Sequence, residues 1–310
     1  MNKKKQPGNA GVSYELQREF NKRENGEPLR ILSEDDWTFW QENGYIIINQ
    51  AVPEKHVKAA RDLLWKFEEK DPNDPATWYR PPRREIEMKE LVNSGMVEVY
   101  NHRALWDNRQ HPKVYNAFVD IWGTKKLWVS IDRANLNFPV RDGHEFKGFI
   151  HWDINTSKRP LPVNVQGVLA LSDTDDKTGG FQCVPELYRT FHEWVKDQPK
   201  DRNPYQPDIS GFNIKKVYMK AGDLLIFNSM LPHGIRPNHS DRPRIAQYIS
   251  MTPAEEDNDE LREWRIKSWR DRIAPEGYAF PGDPRKWEQN NSETAELSSL
   301  GKKLLGLEKW

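Results

Sequence analysis

The sequence predicts a mainly β protein with helical additions, and two patterns predict it. Short apolar or alternating runs recur between turn-forming residues, at 45–48, 127–137, 149–154, 164–171, 221–227 and 245–250. Segments with helical spacing lie mainly ahead of these runs and after residue 253. No composition break divides the 310 residues. Residues 31–310 therefore read as a single domain, with a core over about 31–253 and a helical C-terminal extension over 254–310. Residues 1–30, polar and opening with Lys3, Lys4 and Lys5, read as a mobile N-terminal tail.

In chain order, Ser33 with Asp36 three residues on makes a capping box. It opens a helix through Trp37 and Trp40 that Asn43-Gly44 ends. Residues 45–48 form a buried strand. A second helix from Pro53-Glu54 carries Val57, Ala60, Leu64 and Phe67 on one stripe. Proline keeps Trp78-Tyr79-Arg80-Pro81-Pro82-Arg83-Arg84 from being helical, and residues 69–100 read as a loop whose cations could meet an anionic substrate if it acts as a lid. Residues 114–122 form a helix stopped by Gly123. The strand expected over 127–137 places Arg133, Asn135 and Asn137 on one face. Another, over 164–171, aligns Asn164, Gln166, Val168 and Ala170. The acidic turn 173–177 lacks the ligand spacing of a calcium loop. Residues 191–214, with three prolines, read as an insertion; 215–219 form a strand; Leu261, Trp264, Ile266 and Trp269 place a helix after the acidic run at 255–260.

Composition excludes several classes of function. Lys+Arg equals Asp+Glu at 47 each, a balance that argues against a nucleic-acid or anionic-membrane binder. One cysteine, Cys183, rules out an internal disulfide and fits a reducing compartment. Met1–Lys5 has no apolar segment behind it, and no apolar run reaches about 18 residues, so cytoplasmic placement is expected.

The chemistry gathers at Phe149-Ile150-His151-Trp152-Asp153-Ile154. On a strand, His151 and Asp153 would point to one face. His-x-Asp alone is common, but here Ile150 and Ile154 mark an apolar opposite face. His233 follows the apolar run Leu224-Leu225-Ile226-Phe227, and Arg244 heads another strand just beyond it. Two imidazoles and a carboxylate make a facial set that leaves three metal positions open, which suits a non-haem Fe(II) centre taking a cosubstrate and O₂. Arg244 offers a planar fork for a carboxylate. His102 and His111 lack a partner at ligand spacing and are expected to be structural or surface residues, and His144, in a turn, is a poor ligand candidate beside His151.

These stretches resemble the phytanoyl-CoA dioxygenase (PhyH-like) branch of the Fe(II)/2-oxoglutarate-dependent oxygenases. The likeness is carried by His151-Trp152-Asp153, residues 178–186, Ala221-Gly222-Asp223 with the strand after it, Leu231-Pro232-His233-Gly234 and residues 238–244. It covers roughly residues 30–252. It implies a double-stranded β-helix (jelly-roll, cupin-like) core buttressed by N-terminal helices. It implies Fe(II) ligands at His151, Asp153 and His233, 2-oxoglutarate as cosubstrate paired with Arg244, and O₂ at the remaining position. Asn135 matches the family's cosubstrate-contacting asparagine, and Gln166 is a further candidate contact. Because halogenases of the family replace the carboxylate with a small residue, Asp153 implies hydroxylation of an unactivated carbon with release of succinate and CO₂. Desaturation, cyclisation or epimerisation on the same site is the alternative, and a non-catalytic binding module is the rival from another class. The family's usual Pro-Gly-Ser-His is here Pro185-Glu186-Leu187-Tyr188, which alters the loop over the site. The expected partner is a small-molecule substrate, anionic or a CoA ester if Arg80, Arg83 and Arg84 face it. The C-terminal extension is a candidate homo-oligomer contact.

Overall fold

The computed structural model describes residues 28–80, 95–275 and 282–310. Most of the tail expected over 1–30, and Arg83 and Arg84 of the expected lid, lie outside them. The strands are β1 (Tyr45–Ile48), β2 (Met96–Val97), β3 (Leu127–Val129), β4 (Ala134–Asn137), β5 (Val165–Ala170), β6 (Gly180–Cys183), β7 (Lys215–Lys216), β8 (Leu224–Asn228), β9 (His233–Arg236), β10 (Arg244–Tyr248) and β11 (Met251–Pro253). The helices are α1 (Glu34–Asn43), α2 (Glu54–Glu68), α3 (Arg103–Arg109), α4 (Pro112–Trp122), α5 (Pro185–Trp194), α6 (Asp259–Asp271), α7 (Trp287–Asn291) and α8 (Ser299–Leu305).

Side-chain alternation builds two apolar layers from one large sheet, ordered β1-β8-β5-β10-β4-β2 and antiparallel throughout. Ile46, Ile48, Leu136, Val165, Leu169, Leu224, Ile226 and Ile245 face the helices, packing with Trp37, Val57, Leu64 and Phe118. Tyr45, Val168, Ala170, Leu225, Phe227 and Ala246 face the other way, onto Phe181 and Cys183 of the small sheet β7-β6-β9. This inner layer is the interior of a jelly roll whose sheets are not closed into a barrel. Full burial of a Leu, Ile or Phe side chain stabilises by roughly 1.5–3 kcal/mol, so both layers contribute heavily. At the entry to the sheet, Ser33 and Asp36 form the expected capping box and Gly44 closes α1 in the left-handed region.

Three expectations are corrected. The strand over 127–137 is two strands. Ser130 N–H bonds the Ser250 carbonyl, β3 pairs with β11, and the chain then turns into the large sheet as β4. Residues 149–154 are not a continuous strand. Only His151 makes a bridge, to His233, because Trp152 N–H turns away to the Tyr205 carbonyl. The segment expected as strand 215–219 pairs over only Lys215–Lys216. A helix also appears where none was expected: α5 opens with Pro185 at its first turn and buries Leu187 and Phe191 beside Trp152. The C-terminal segment folds back as α6, α7 and α8, with Leu304 and Leu305 fully buried.

Candidate metal centre and cosubstrate pocket

His233 opens β9 on the lumen side, directly opposite Cys183 of β6. Its ring stacks on Phe181, with centroids 5.7 Å apart and planes 10° apart, and lies 4.4 Å from the Phe227 ring. Its Nδ1 donates to the Leu231 carbonyl at 2.9 Å, which leaves the Nε2 lone pair facing the lumen. The reciprocal backbone bonds of the His151–His233 bridge, 2.8 and 3.0 Å, bring the second imidazole alongside, with ring centroids 4.7 Å apart.

That approach depends on Gly234. A Cβ there would lie 1.8 Å from the Phe149 carbonyl oxygen. Trp152, which separates the two ligand candidates in sequence, is buried on the opposite side. Its indole donates to the Met230 carbonyl at 2.8 Å and packs on Phe191 and Trp194. So although the strand is missing, His151 and Asp153 still emerge together.

Asp153 sits between the imidazoles. Its Oδ1 is 3.0 Å from His151 Nε2 and its Oδ2 is 3.2 Å from His233 Nε2. One donor atom from each of the three residues lies within 4.8 Å of the others. Burial disfavours charge on both His151 and Asp153, yet electrostatics win: the Asp153 carboxylate raises the His151 pKa, and the imidazoles hold Asp153 well below the usual carboxylate range. A carboxylate oxygen facing an imidazole lone pair is satisfied by a cation between them. Two nitrogens and one oxygen fit a facial Fe(II) set.

The same face of the large sheet that presents Gln166 to Asp153 carries the other expected residues. Arg244 and Asn137 are direct neighbours across β10 and β4, and Asn135 lies two residues along the same face. Arg244 Nη1 donates to Asn135 Oδ1 at 2.9 Å. Arg244 is 5% exposed, and among the described residues it has no carboxylate within ion-pair distance. A buried guanidinium bonded to a neutral amide keeps further N–H donors with which it could take a planar anion. Gln166, on β5, is directed elsewhere than at Arg244: its Nε2 donates to Asp153 Oδ2 at 2.5 Å. Arg133, on the same side of the chain as Asn135, pairs with buried Glu98 at 3.4 Å.

The remaining histidines fall outside the cluster. His102 caps α3, the His111 ring packs on His56, that of His144 packs on Tyr79, and His239 is exposed. Sequence reasoning missed the aromatic rings around the imidazoles. Phe149 alternates with His151, and its ring meets the His151 ring at 4.9 Å while remaining 43% exposed.

With this geometry in place, the comparisons with known proteins are decisive. The phytanoyl-CoA dioxygenase (PhyH) family matches residues 40–246. The chain belongs to the phytanoyl-CoA dioxygenase family. As a member it is an oxidoreductase of the non-haem Fe(II)/2-oxoglutarate-dependent oxygenases, with Fe(II) as its metal cofactor and 2-oxoglutarate and O₂ as cosubstrates. A Dictyostelium discoideum protein assigned to the phytanoyl-CoA dioxygenases is 23% identical over 261 residues, covering 70% of this chain and 74% of its own. The 2-aminoethylphosphonate dioxygenase of the uncultured bacterium HF130_AEPn_1 is 18% identical, covering 82% and 94%. Among solved structures, GlcNAc Inducible Gene 2 of Candida albicans superposes with a TM-score of 0.64 at 14% identity, over 90% of this chain and 77% of its own. The epimerase SnoN, in complex with Fe³⁺, alpha-ketoglutarate and nogalamycin RO, does so at 0.52 and 15%, over 71% and 83%. At these identities the structural likeness speaks to the jelly-roll fold.

Proposed function

We propose that this family member hydroxylates an unactivated carbon of a small-molecule metabolite, using His151, Asp153 and His233 to hold Fe(II). The observation that carries the reading is the cluster of three donors within 4.8 Å, together with a buried arginine that has no carboxylate partner among the described residues and that shares a sheet face with Gln166, the residue bonded to Asp153. In this reading Arg244, steadied by Asn135, receives the distal carboxylate of 2-oxoglutarate in a fork that lysine could not reproduce. Bound Fe(II) with 2-oxoglutarate and O₂ supplies the oxidising chemistry, in which the cosubstrate leaves as succinate and CO₂ and the substrate C–H becomes C–OH. The protein's own part is orientation and exclusion of water: Phe181 and Phe227 wall one side of His233, and the exposed Phe149 ring offers the substrate an apolar surface next to His151. Asp153 supports hydroxylation over halogenation because its carboxylate occupies the place a halide would need.

Desaturation, cyclisation or epimerisation would use the same residues and differ only in how the substrate is positioned. The substrate is proposed to be anionic, in keeping with the 2-aminoethylphosphonate dioxygenase relative; a CoA ester and the arginines of the 80–84 segment are part of the same proposal. The domain reading is carried forward as one unit over 31–310, with cytoplasmic placement, no nucleic-acid or membrane partner, and the extension as a candidate self-association surface. Among the described residues no helix is long and apolar enough to cross a membrane.

Incubation with Fe(II), 2-oxoglutarate and O₂ tests the proposal. Succinate release that falls at least 100-fold in His233→Ala and Asp153→Ala is expected. An iron-loaded wild type that releases none would favour the binding-module reading.

A further inference from the structure

We infer that Gln166 is a positioning residue that holds Asp153 to single-oxygen ligation, and that it works with its cross-strand neighbour Phe227 to orient two of the three metal ligands. The inference rests on the metal-centre reading above. Gln166 of β5 and Phe227 of β8 are direct register partners, so their side chains leave the sheet on the same face. One reaches Asp153, with Gln166 Nε2 donating to Oδ2 at 2.5 Å. The other packs on His233, with ring centroids 4.4 Å apart. A single rung of the large sheet thus touches a carboxylate that comes from a loop and an imidazole that comes from the small sheet.

The loop makes this contact matter. Trp152 and Thr156 are tied to the 204–205 backbone, through Trp152 N–H to the Tyr205 carbonyl and Thr156 Oγ1 to the Pro204 carbonyl at 2.6 Å. No ladder fixes the Asp153 side chain between them. Among the described residues its side chain contacts His151, His233 and Gln166. The first two are themselves proposed ligands and would direct their Nε2 to the metal. Among the described residues Gln166 is then the one group left to hold the carboxylate rotation. With its amide on Oδ2, Oδ1 would be the favoured oxygen for a metal, and the position that a chelating carboxylate would consume would stay open for the two-point cosubstrate. Gln166 acts through Asp153 and touches no reacting atom.

Co(II), as a spectroscopic substitute for Fe(II), tests this without turnover. Gln166→Met keeps length and volume but removes the donor; Gln166→Asn keeps the amide but withdraws it by one methylene. Both are expected to bind Co(II) about 10- to 100-fold more weakly. At saturating Co(II), both are expected to show ligand-field bands displaced from wild type, a change that loss of packing alone does not produce. Phe227→Leu is expected to weaken Co(II) binding with a smaller spectral change. Wild-type affinity and spectrum in both Gln166 variants would overturn the inference. Asp153→Ala in the same titration separates this from failure of the ligand assignment: if it too binds Co(II) like wild type, the metal-centre reading is wrong, and if it loses Co(II) while the Gln166 variants do not, only the role of Gln166 is wrong.

Discussion

In the proposed reading, Arg244 is the residue on which cosubstrate selection turns. Its cost to the fold is a buried charge bonded to an amide, a cost that the carboxylate of the proposed cosubstrate would offset. Arg244→Ala is therefore expected to weaken 2-oxoglutarate binding by about 2–5 kcal/mol, and Arg244→Lys to recover only part of that, because an ammonium makes one directed contact where the fork makes two. Calorimetric titration under anaerobic conditions measures both. Much of this residue set is legible in the sequence, since His-x-Asp, a later His and an Arg at a strand head are local signals. Gln166 shows the limit. Its type and face are readable, but whether an amide turns to the cosubstrate or to Asp153 depends on a loop whose path is set by bonds to Pro204 and Tyr205, distant in sequence.

At the scale of elements, the His151–Asp153–His233 cluster is assembled where two chain segments touch without forming a ladder. Gly234 permits the contact, so Gly234→Ala is expected to push the Phe149 backbone away, displace His151 with it, and cut metal affinity by more than tenfold in an equilibrium Co(II) titration. The break of the 149–154 segment after His151 could not be read from the sequence, because alternation there is equally consistent with a strand; the decisive bond, Trp152 N–H to Tyr205, comes from the insertion. Helix α7 supplies a pH-dependent joint. Burial pushes the Glu288 pKa up to about 7, against the pull of the Tyr100 and Asn101 N–H groups that its carboxylate accepts at 2.8 Å. A raised acid pKa means the folded state holds a proton that the unfolded state has released. The stability linked to it is full below the ordinary glutamate pKa and is lost as pH rises through about 7. Thermal melts are expected to fall across that interval for the wild type and to be flatter for Glu288→Gln.

Over the whole molecule, the helical layer and the C-terminal segment pack in one apolar cluster behind the large sheet. Arg265, fully buried, ties them by donating to the Leu305 and Leu304 carbonyls at 3.0 and 2.9 Å and to the Val129 carbonyl at 2.6 Å. Truncation before α8 removes two of those acceptors along with Leu304 and Leu305. It is expected to destabilise by about 3–5 kcal/mol, seen as a large drop in melting temperature, even though no metal ligand is touched. The fold class and the N-terminal helices were legible because periodicity and caps act locally. The docking of α6 to α8 was not, since it depends on one cation finding carbonyls far away in sequence. The central claim, that these layers converge on a metal chelated by 2-oxoglutarate and anchored by Arg244, is tested most directly by anaerobic titration of 2-oxoglutarate into Fe(II)-loaded protein. The account predicts a weak visible metal-to-ligand charge-transfer band that saturates in the wild type and is weakened or right-shifted to higher concentration in Arg244→Ala. No band from wild-type protein shown by equilibrium dialysis to hold its iron would contradict it.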